Sequence, residues 1–386
     1  MTRDIPAPVG INTVNGLISI NPPNRPALDV VLIWLRDNCP CVSCYEPRAQ
    51  QRMVDTSELG REQTTLESAQ IKGEEEEMLE VRWADGHESR YSLDMIYTNL
   101  LQDQGPDKSL FAKSTTLWNA AKIQLEFPAT PYVEVMTTDQ GLASLLLHVD
   151  KYGIAFIPDT PPTPEATQKL AERISFIRET HYGTFWDLHA NWQKNDTAYS
   201  TVPLGAHTDT TYFTDPIGLQ LFHILEHTGG TGGESMYLDA FDVARQLREE
   251  DPQAYETLST TPLNAHSRGN TDTNYEPYLP MPILNHHPVT GQLVQVRYNN
   301  NDRSPCMKWL SPTAIQEFYR ALQKWQRLLV DPHNEFVIAN KPGQPVLVDN
   351  FRVLHGRRGF TGYRRLCGSY HGHDEYRSKL AVLNPR

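Results

Sequence analysis

Apolar and polar positions alternate differently on the two sides of Pro128. Upstream, short apolar runs are parted by turn residues. Residues 17–20 (LISI) and 30–35 (VVLIWL) read as strands divided by Pro-rich turns. Residues 78–83 and 88–92 flank Ala84-Asp85-Gly86-His87, whose Asp-Gly pair marks a hairpin. The acidic run at 74–77 reads as a solvated loop, and 108–126 as a polar, weakly helical linker. The pattern predicts a small β-rich domain over residues 1–125 and a second domain over 126–386. In the second, helical spacing predicts helices at 141–151, 164–179, 240–250 and 312–330, with Thr163 capping the second of them. Short strand-like runs lie between them at 154–157, 218–225, 234–238, 292–298, 336–338, 346–353 and 366–370. This β-dominated α+β pattern predicts a jelly-roll or cupin-like double sheet with helices packed outside.

One further run carries chemistry. Residues 205–213 (GAHTDTTYF) are rich in β-branched and aromatic residues and read as a strand, from which His207 and Asp209 leave the same face. Far downstream, VLVDNFRVLHGRRG brings a second imidazole, His355. Two histidines and one carboxylate form the ligand set of non-haem Fe(II) oxygenases. The His-x-Asp spacing alone is weak, because His148-Val149-Asp150 repeats it at the end of an apolar helix. A 2-oxo acid bound to such a metal needs its far carboxylate gripped by a planar double donor. Arg364 and Arg365 are placed for this in GRRGFTGYRRLCGSY. Strand alternation turns only one of them inward, and Arg364 is preferred; the competing reading is a surface-exposed basic strand. In the first domain, Cys39, Cys41 and Cys44, with His87 on the hairpin turn, compose a Cys₃His set for a structural Zn(II). The competing reading is three buried, inert thiols.

A formal charge of −12 over 386 residues argues against nucleic-acid binding. No apolar run approaches the roughly 20 residues that span a bilayer, so no membrane partner is expected. The N-terminal residues carry neither a secretory nor a transit pattern, so the cytoplasm is expected, with the mitochondrion as alternative. Five cysteines, unevenly spread, do not form a disulfide framework. The expected partners are a small-molecule substrate and molecular oxygen, and a homodimer is the expected assembly.

The stretches HTDTTYFTDPIGLQLFH, GGTGGESMYLDAF, VRYNNNDR and VDNFRVLHGRRGFTGYRRLCGSY, together with WLRDNCPCVSCY, resemble the trimethyllysine and γ-butyrobetaine dioxygenase family of carnitine biosynthesis. The resemblance covers nearly the whole chain. It implies a double-stranded β-helix domain behind a zinc-binding domain, with Fe(II), 2-oxoglutarate as cosubstrate, ascorbate and structural Zn(II). By the same likeness His207, Asp209 and His355 match the iron ligands. Arg364 and Ser235 match the cosubstrate contacts, and Cys39, Cys41, Cys44 and His87 the zinc ligands. Tyr182, Trp186, Tyr199 and Tyr370 match an aromatic cage for a trimethylammonium group. Asp196 and Asn299 match contacts to the other end of the substrate. An acid at Asp196 suits a free α-ammonium, so the expected reaction is hydroxylation of free N6,N6,N6-trimethyllysine at carbon 3. γ-Butyrobetaine hydroxylation to carnitine is the alternative, and the CPCVSC cluster leans that way.

Overall fold

The computed structural model describes residues 9–12, 16–72, 77–101, 111–112, 114–189 and 200–384. It divides into two compact units, Met1–Asp107 and Lys108–Arg386, a division upstream of the boundary expected after residue 125. Part of the stretch read as a linker is folded into the second unit. Trp118 is buried there, its indole N–H donating to Tyr152 O at 2.6 Å, and Asn119 caps the helix Ala120–Leu125.

The first unit holds two three-stranded antiparallel sheets. One joins Val9–Asn12, Leu17–Ile20 and Leu28–Val31; the other joins Leu66–Lys72, Met78–Trp83 and Glu88–Ser92. Ile18, Ile20, Leu79, Trp83 and Tyr91 form their common core. Gly86 makes the hairpin turn at φ +83°, a backbone region open to glycine. The run at 30–35 is not one strand. It breaks after Val31 into the helix Leu32–Asp37, which buries Leu32, Leu35 and Arg36. A continuous apolar run has no period of two, and the i, i+3, i+4 spacing decides it. Of the acidic run at 74–77, all but Glu77 lies outside the described residues; Glu77 pairs with Arg25 at 3.0 Å.

In the second unit the strands of two antiparallel sheets are β1 (Ile154–Phe156), β2 (Phe185–His189), β3 (Leu204–His207), β4 (Leu219–Thr228), β5 (Ser235–Asp239), β6 (Phe336–Ile338), β7 (Val346–Asp349), β8 (Val353–Arg357) and β9 (Tyr363–His371). The larger sheet runs β2-β9-β4-β7-β1 and the smaller β3-β8-β5-β6. From β4 onward the chain passes back and forth between the sheets, which is the winding of a double-stranded β-helix. Phe156, Val346 and Val348 of the larger sheet share one apolar cluster with Tyr237, Phe336 and Val353 of the smaller. Helices Asp139–Tyr152, Pro164–Ile174, Ala240–Glu250 and Pro312–Leu329 carry amphipathic faces onto this frame.

Three expected elements of this unit differ, one of them, the run at 205–213, at the site described below. The run at 346–353 is two strands, because the chain turns at Asn350, whose side chain is spent on the neighbouring backbone. Its amide donates to Asp209 O and Ile217 O. The helix expected to reach 179 stops at Ile174, and by Ile177 the chain bridges to His371.

Candidate metal and substrate site

β3 and β8 pair so that His207 and His355 lie opposite each other in register, which puts both imidazoles on one face with ring centroids 4.6 Å apart. Asp209 does not continue the strand. β3 ends at His207, and Thr208–Phe213 form a turn in which Thr210 takes φ +56°. Three groups pull the chain out of extension. Tyr298 exchanges hydrogen bonds with Thr208, Asn350 Oδ1 accepts from Asp209 N at 2.8 Å, and the buried Arg297 guanidinium donates to Thr211 O and Phe213 O. The turn still brings the carboxylate back to the histidines. Asp209 Oδ1 lies 3.2 Å from His207 Nε2 and 3.7 Å from His355 Nε2.

Hydrogen bonds decide which atoms face inward. His207 Nδ1 donates to Gly205 O at 2.7 Å, leaving Nε2 as a lone-pair donor. Asp209 Oδ2 accepts from Gln220 Nε2 at 2.7 Å and from the Tyr370 hydroxyl at 2.9 Å, leaving Oδ1 for the centre. Burial alone would raise the Asp209 carboxyl, but the His207 bond, the neighbouring imidazoles and Tyr370 together hold it well below the usual range. Burial, then the charge of His207, pushes His355 down to about 3. Its Nδ1 is buried without a hydrogen-bonding partner among the described residues. Against its burial, the bond and charge of Asp209 raise His207, so a divalent ion would displace that Nε2 proton; two imidazole nitrogens and one ionised oxygen, within ligand spacing of one another, are a donor set that fits one such ion.

The cluster opens on a cavity of about 960 Å³. On the floor of this cavity Arg364 is buried, with no acidic partner among the described residues, and burial beside Arg357 lowers it to about 10. Arg365 turns the other way and pairs with Asp187 at 2.9 Å. Ser235 lies near, its hydroxyl accepting from Asn340 Nδ2, which also donates to the Tyr237 hydroxyl. Further along β9, Tyr370 stands 5.8 Å from Trp186 and 6.3 Å from Tyr182, centroid to centroid, at steep tilts. Trp186 lies directly across from Gly368 in register, where an added Cβ would meet the indole at 2.3 Å. Asn299 lines the same cavity and donates to Asp302 Oδ2 at 2.8 Å. Asp196 and Tyr199 lie outside the described residues.

The first unit has its own cluster. Cys39, Cys41 and Cys44 sulfurs lie 3.3, 3.6 and 3.7 Å from His87 Nε2. Those separations match neighbouring ligands of a tetrahedral ion with bonds of roughly 2.0–2.3 Å. Ser89 donates to Cys39 and Arg36 to Cys44, while burial pushes the Cys39 thiol up to about 11.

Gln220, Asn350, Arg297, Tyr237, Asn340 and Asp302 shape the site without having been singled out from the sequence. Arg297 and Asp302 carried a signal, in the polar run RYNNNDR; Gln220 depends on strand register and the others on partners distant along the chain.

Residues 120–370 match the family described as taurine catabolism dioxygenase TauD, TfdA family, and residues 12–97 match the gamma-butyrobetaine hydroxylase-like N-terminal family. The chain is 39% identical over 353 residues to the mitochondrial trimethyllysine dioxygenase of Bos taurus, covering 91% of this chain and 82% of the relative. It is 36% identical over 367 residues to trimethyllysine dioxygenase of Meyerozyma guilliermondii, covering 91% and 90%. To gamma-butyrobetaine dioxygenase of Pongo abelii it is 29% identical over 370 residues, covering 92% and 91%. The chain is thus an enzyme of the taurine catabolism dioxygenase TauD, TfdA family and groups with its trimethyllysine dioxygenases.

Proposed function

We propose that the chain hydroxylates free N6-trimethyllysine at carbon 3, with Fe(II) and 2-oxoglutarate. One observation carries the reading: the His207–Asp209–His355 cluster, the acid-free Arg364 and the rings of Tyr182, Trp186 and Tyr370 all line one cavity. The higher identity to trimethyllysine dioxygenases than to the gamma-butyrobetaine enzyme supports the choice of substrate.

In this reading His207 Nε2, His355 Nε2 and Asp209 Oδ1 hold the ferrous ion. When bound, the ion supplies the oxidising chemistry: one O₂ is consumed, one oxygen entering succinate as CO₂ leaves and the other entering the substrate. The chain supplies everything positional. The Arg364 fork takes the far carboxylate of 2-oxoglutarate, with the Ser235 hydroxyl beside it. A quaternary ammonium cannot donate a hydrogen bond, so ring faces hold it, at about 1–2 kcal/mol for each desolvated contact. Tyr182, Trp186 and Tyr370 supply faces, and Tyr199 is assigned to the same cage. Asp196 takes the α-ammonium and Asn299 the α-carboxylate. Asp302, on the Asn299 side, adds a second acid that favours an ammonium-bearing substrate. Holding both ends presents one carbon to the metal, which is positional control by orientation.

The decisive experiment supplies Fe(II), 2-oxoglutarate and either trimethyllysine or γ-butyrobetaine, and follows succinate together with a 16-dalton gain in the amine. Trimethyllysine is expected to be hydroxylated faster by about tenfold or more, and Asp196→Asn to narrow that ratio. An unchanged ratio in the variant removes Asp196 from the selection; faster γ-butyrobetaine turnover by the unaltered chain reverses the assignment.

Zn(II) in the Cys39–Cys41–Cys44–His87 cluster belongs to the same proposal, supported by the sulfur–nitrogen spacing. Chelation is expected to expose the first unit to protease well before the second, since a structural zinc contributes folding free energy directly. Equal protease resistance with and without chelator argues for plain thiols. Ascorbate as reductant, which rests on the family likeness, a homodimer and a cytoplasmic location complete the proposal. The mitochondrial label of the bovine relative keeps that compartment as the alternative. No described helix is long and apolar enough to cross a membrane.

A further inference from the structure

We propose that Tyr370 has two separable duties: its ring forms a wall of the cation cage, and its hydroxyl positions the metal-binding carboxylate. The proposal rests on the reading of the cluster as a metal site and of the rings as a cage.

Register explains how one residue reaches both. Gln220 on β4 and Tyr370 on β9 are opposite partners in the larger sheet, so both side chains leave the same face. That face looks toward the turn carrying Asp209. Two donors from this pair converge on Oδ2, at 2.7 and 2.9 Å. A carboxylate with one oxygen doubly engaged cannot rotate freely, and its other oxygen stays turned to the imidazoles 3.2 and 3.7 Å away. The smaller sheet thus contributes the His207–His355 pair, and the larger sheet contributes the pair that aims the acid between them.

The Tyr370 ring meanwhile packs with Trp186 and Ile217 and lines the cavity beside Tyr182. Ring packing alone would be served equally by phenylalanine. The hydroxyl is what a purely aromatic wall does not need.

The test separates hydroxyl from ring. Protein freed of iron but keeping the metal of its cysteine cluster is titrated with Mn(II) alone, followed by the loss of the free-ion paramagnetic resonance signal, and separately with tetramethylammonium, followed by tryptophan fluorescence. Tyr370→Phe is expected to weaken Mn(II) binding by about tenfold or more, as loss of a partner that orients a metal ligand does, and to leave tetramethylammonium affinity within about twofold. Gln220→Leu is expected to behave in the same way, and Tyr370→Leu to weaken both. In turnover, Tyr370→Phe should lower kcat while the KM for the amine holds. Thermal unfolding of each iron-free variant reports whether it is folded, and Gln220→Leu reads the same carboxylate if one variant is not. An Mn(II) affinity unchanged in Tyr370→Phe overturns this proposal alone. Tetramethylammonium affinity that falls in step with Mn(II) also overturns it, because the duties are then one. A wild-type protein that takes up Mn(II) but no tetramethylammonium removes the cage reading, and the ring's half of the proposal with it.

Discussion

Replacing Asp209 with alanine is expected to lower turnover by about three orders of magnitude or more, equivalent to at least about 4 kcal/mol of lost transition-state stabilisation. Two losses combine. The centre loses the only anionic donor of its cluster, and two imidazoles alone hold a divalent ion weakly. Gln220 and Tyr370 also lose their shared acceptor, which leaves two donors aimed at an apolar methyl. The fold should survive, because the Asp209 backbone keeps both bonds to Asn350. The measurement is succinate release with and without amine, alongside Mn(II) titration of the same variant. Succinate at the wild-type rate would exclude Asp209 as a ligand.

Acidification from pH 6.5 to about 4 is expected to remove up to about 6 kcal/mol of stability through two buried histidines that are not members of the metal cluster. Burial lowers His223 and His371 to about 4 each. Their surroundings show why protonation is resisted. Thr167 spends its proton on Thr163 O, so His223 Nδ1 must donate to Thr167 Oγ1, while Nε2 accepts from Gly343 N. A proton on Nε2 would point one N–H at another. For His371 burial resists the proton: Nδ1 faces the Ser175 hydroxyl and Phe176 O, Nε2 faces the Ser369 hydroxyl, and the Phe176 bond only partly offsets the burial. Both rings are neutral when folded and titrate normally when unfolded, so the unfolded chain binds more protons within this window. Their contribution is complete above pH 6.5 and is lost as pH falls, at about 3 kcal/mol for each 2.5-unit depression. Urea unfolding at pH 7, 6 and 5 measures it, and His223→Gln should flatten the pH slope by about one proton. An unaltered slope would place the titrating groups elsewhere.

How far the site could be read from the chain follows from these same residues. His207, Asp209 and His355 were legible because ligand chemistry restricts residue types and the distant GRRG stretch supplied the missing imidazole. The hairpin carrying His87 was legible from Asp-Gly between alternating runs. The helices at 240–250 and 312–330 were legible from their period, matching Ala240–Glu250 and Pro312–Leu329. What escaped depends on partners distant in sequence. Thr208–Phe213 has strand-forming composition, yet Arg297, Tyr298 and Asn350 bend it into a turn. That Gln220 and Tyr370 share one oxygen follows from a pairing register that neither strand's own residues declare. Residues 32–37 misled for the opposite reason, since an unbroken apolar run suits strand and helix equally.

Gly368, opposite Trp186, ties the proposed cation seat to the integrity of the barrel. At position 368 a methyl group would strike not only the indole but also Leu221 O, 1.9 Å away on β4. The indole occupies the space that glycine leaves, as an aromatic laid over a cross-strand glycine does. A lineage that needed a wider or narrower seat for its cation could not obtain it by growing a side chain here, because the same atom would pry β4 from β9.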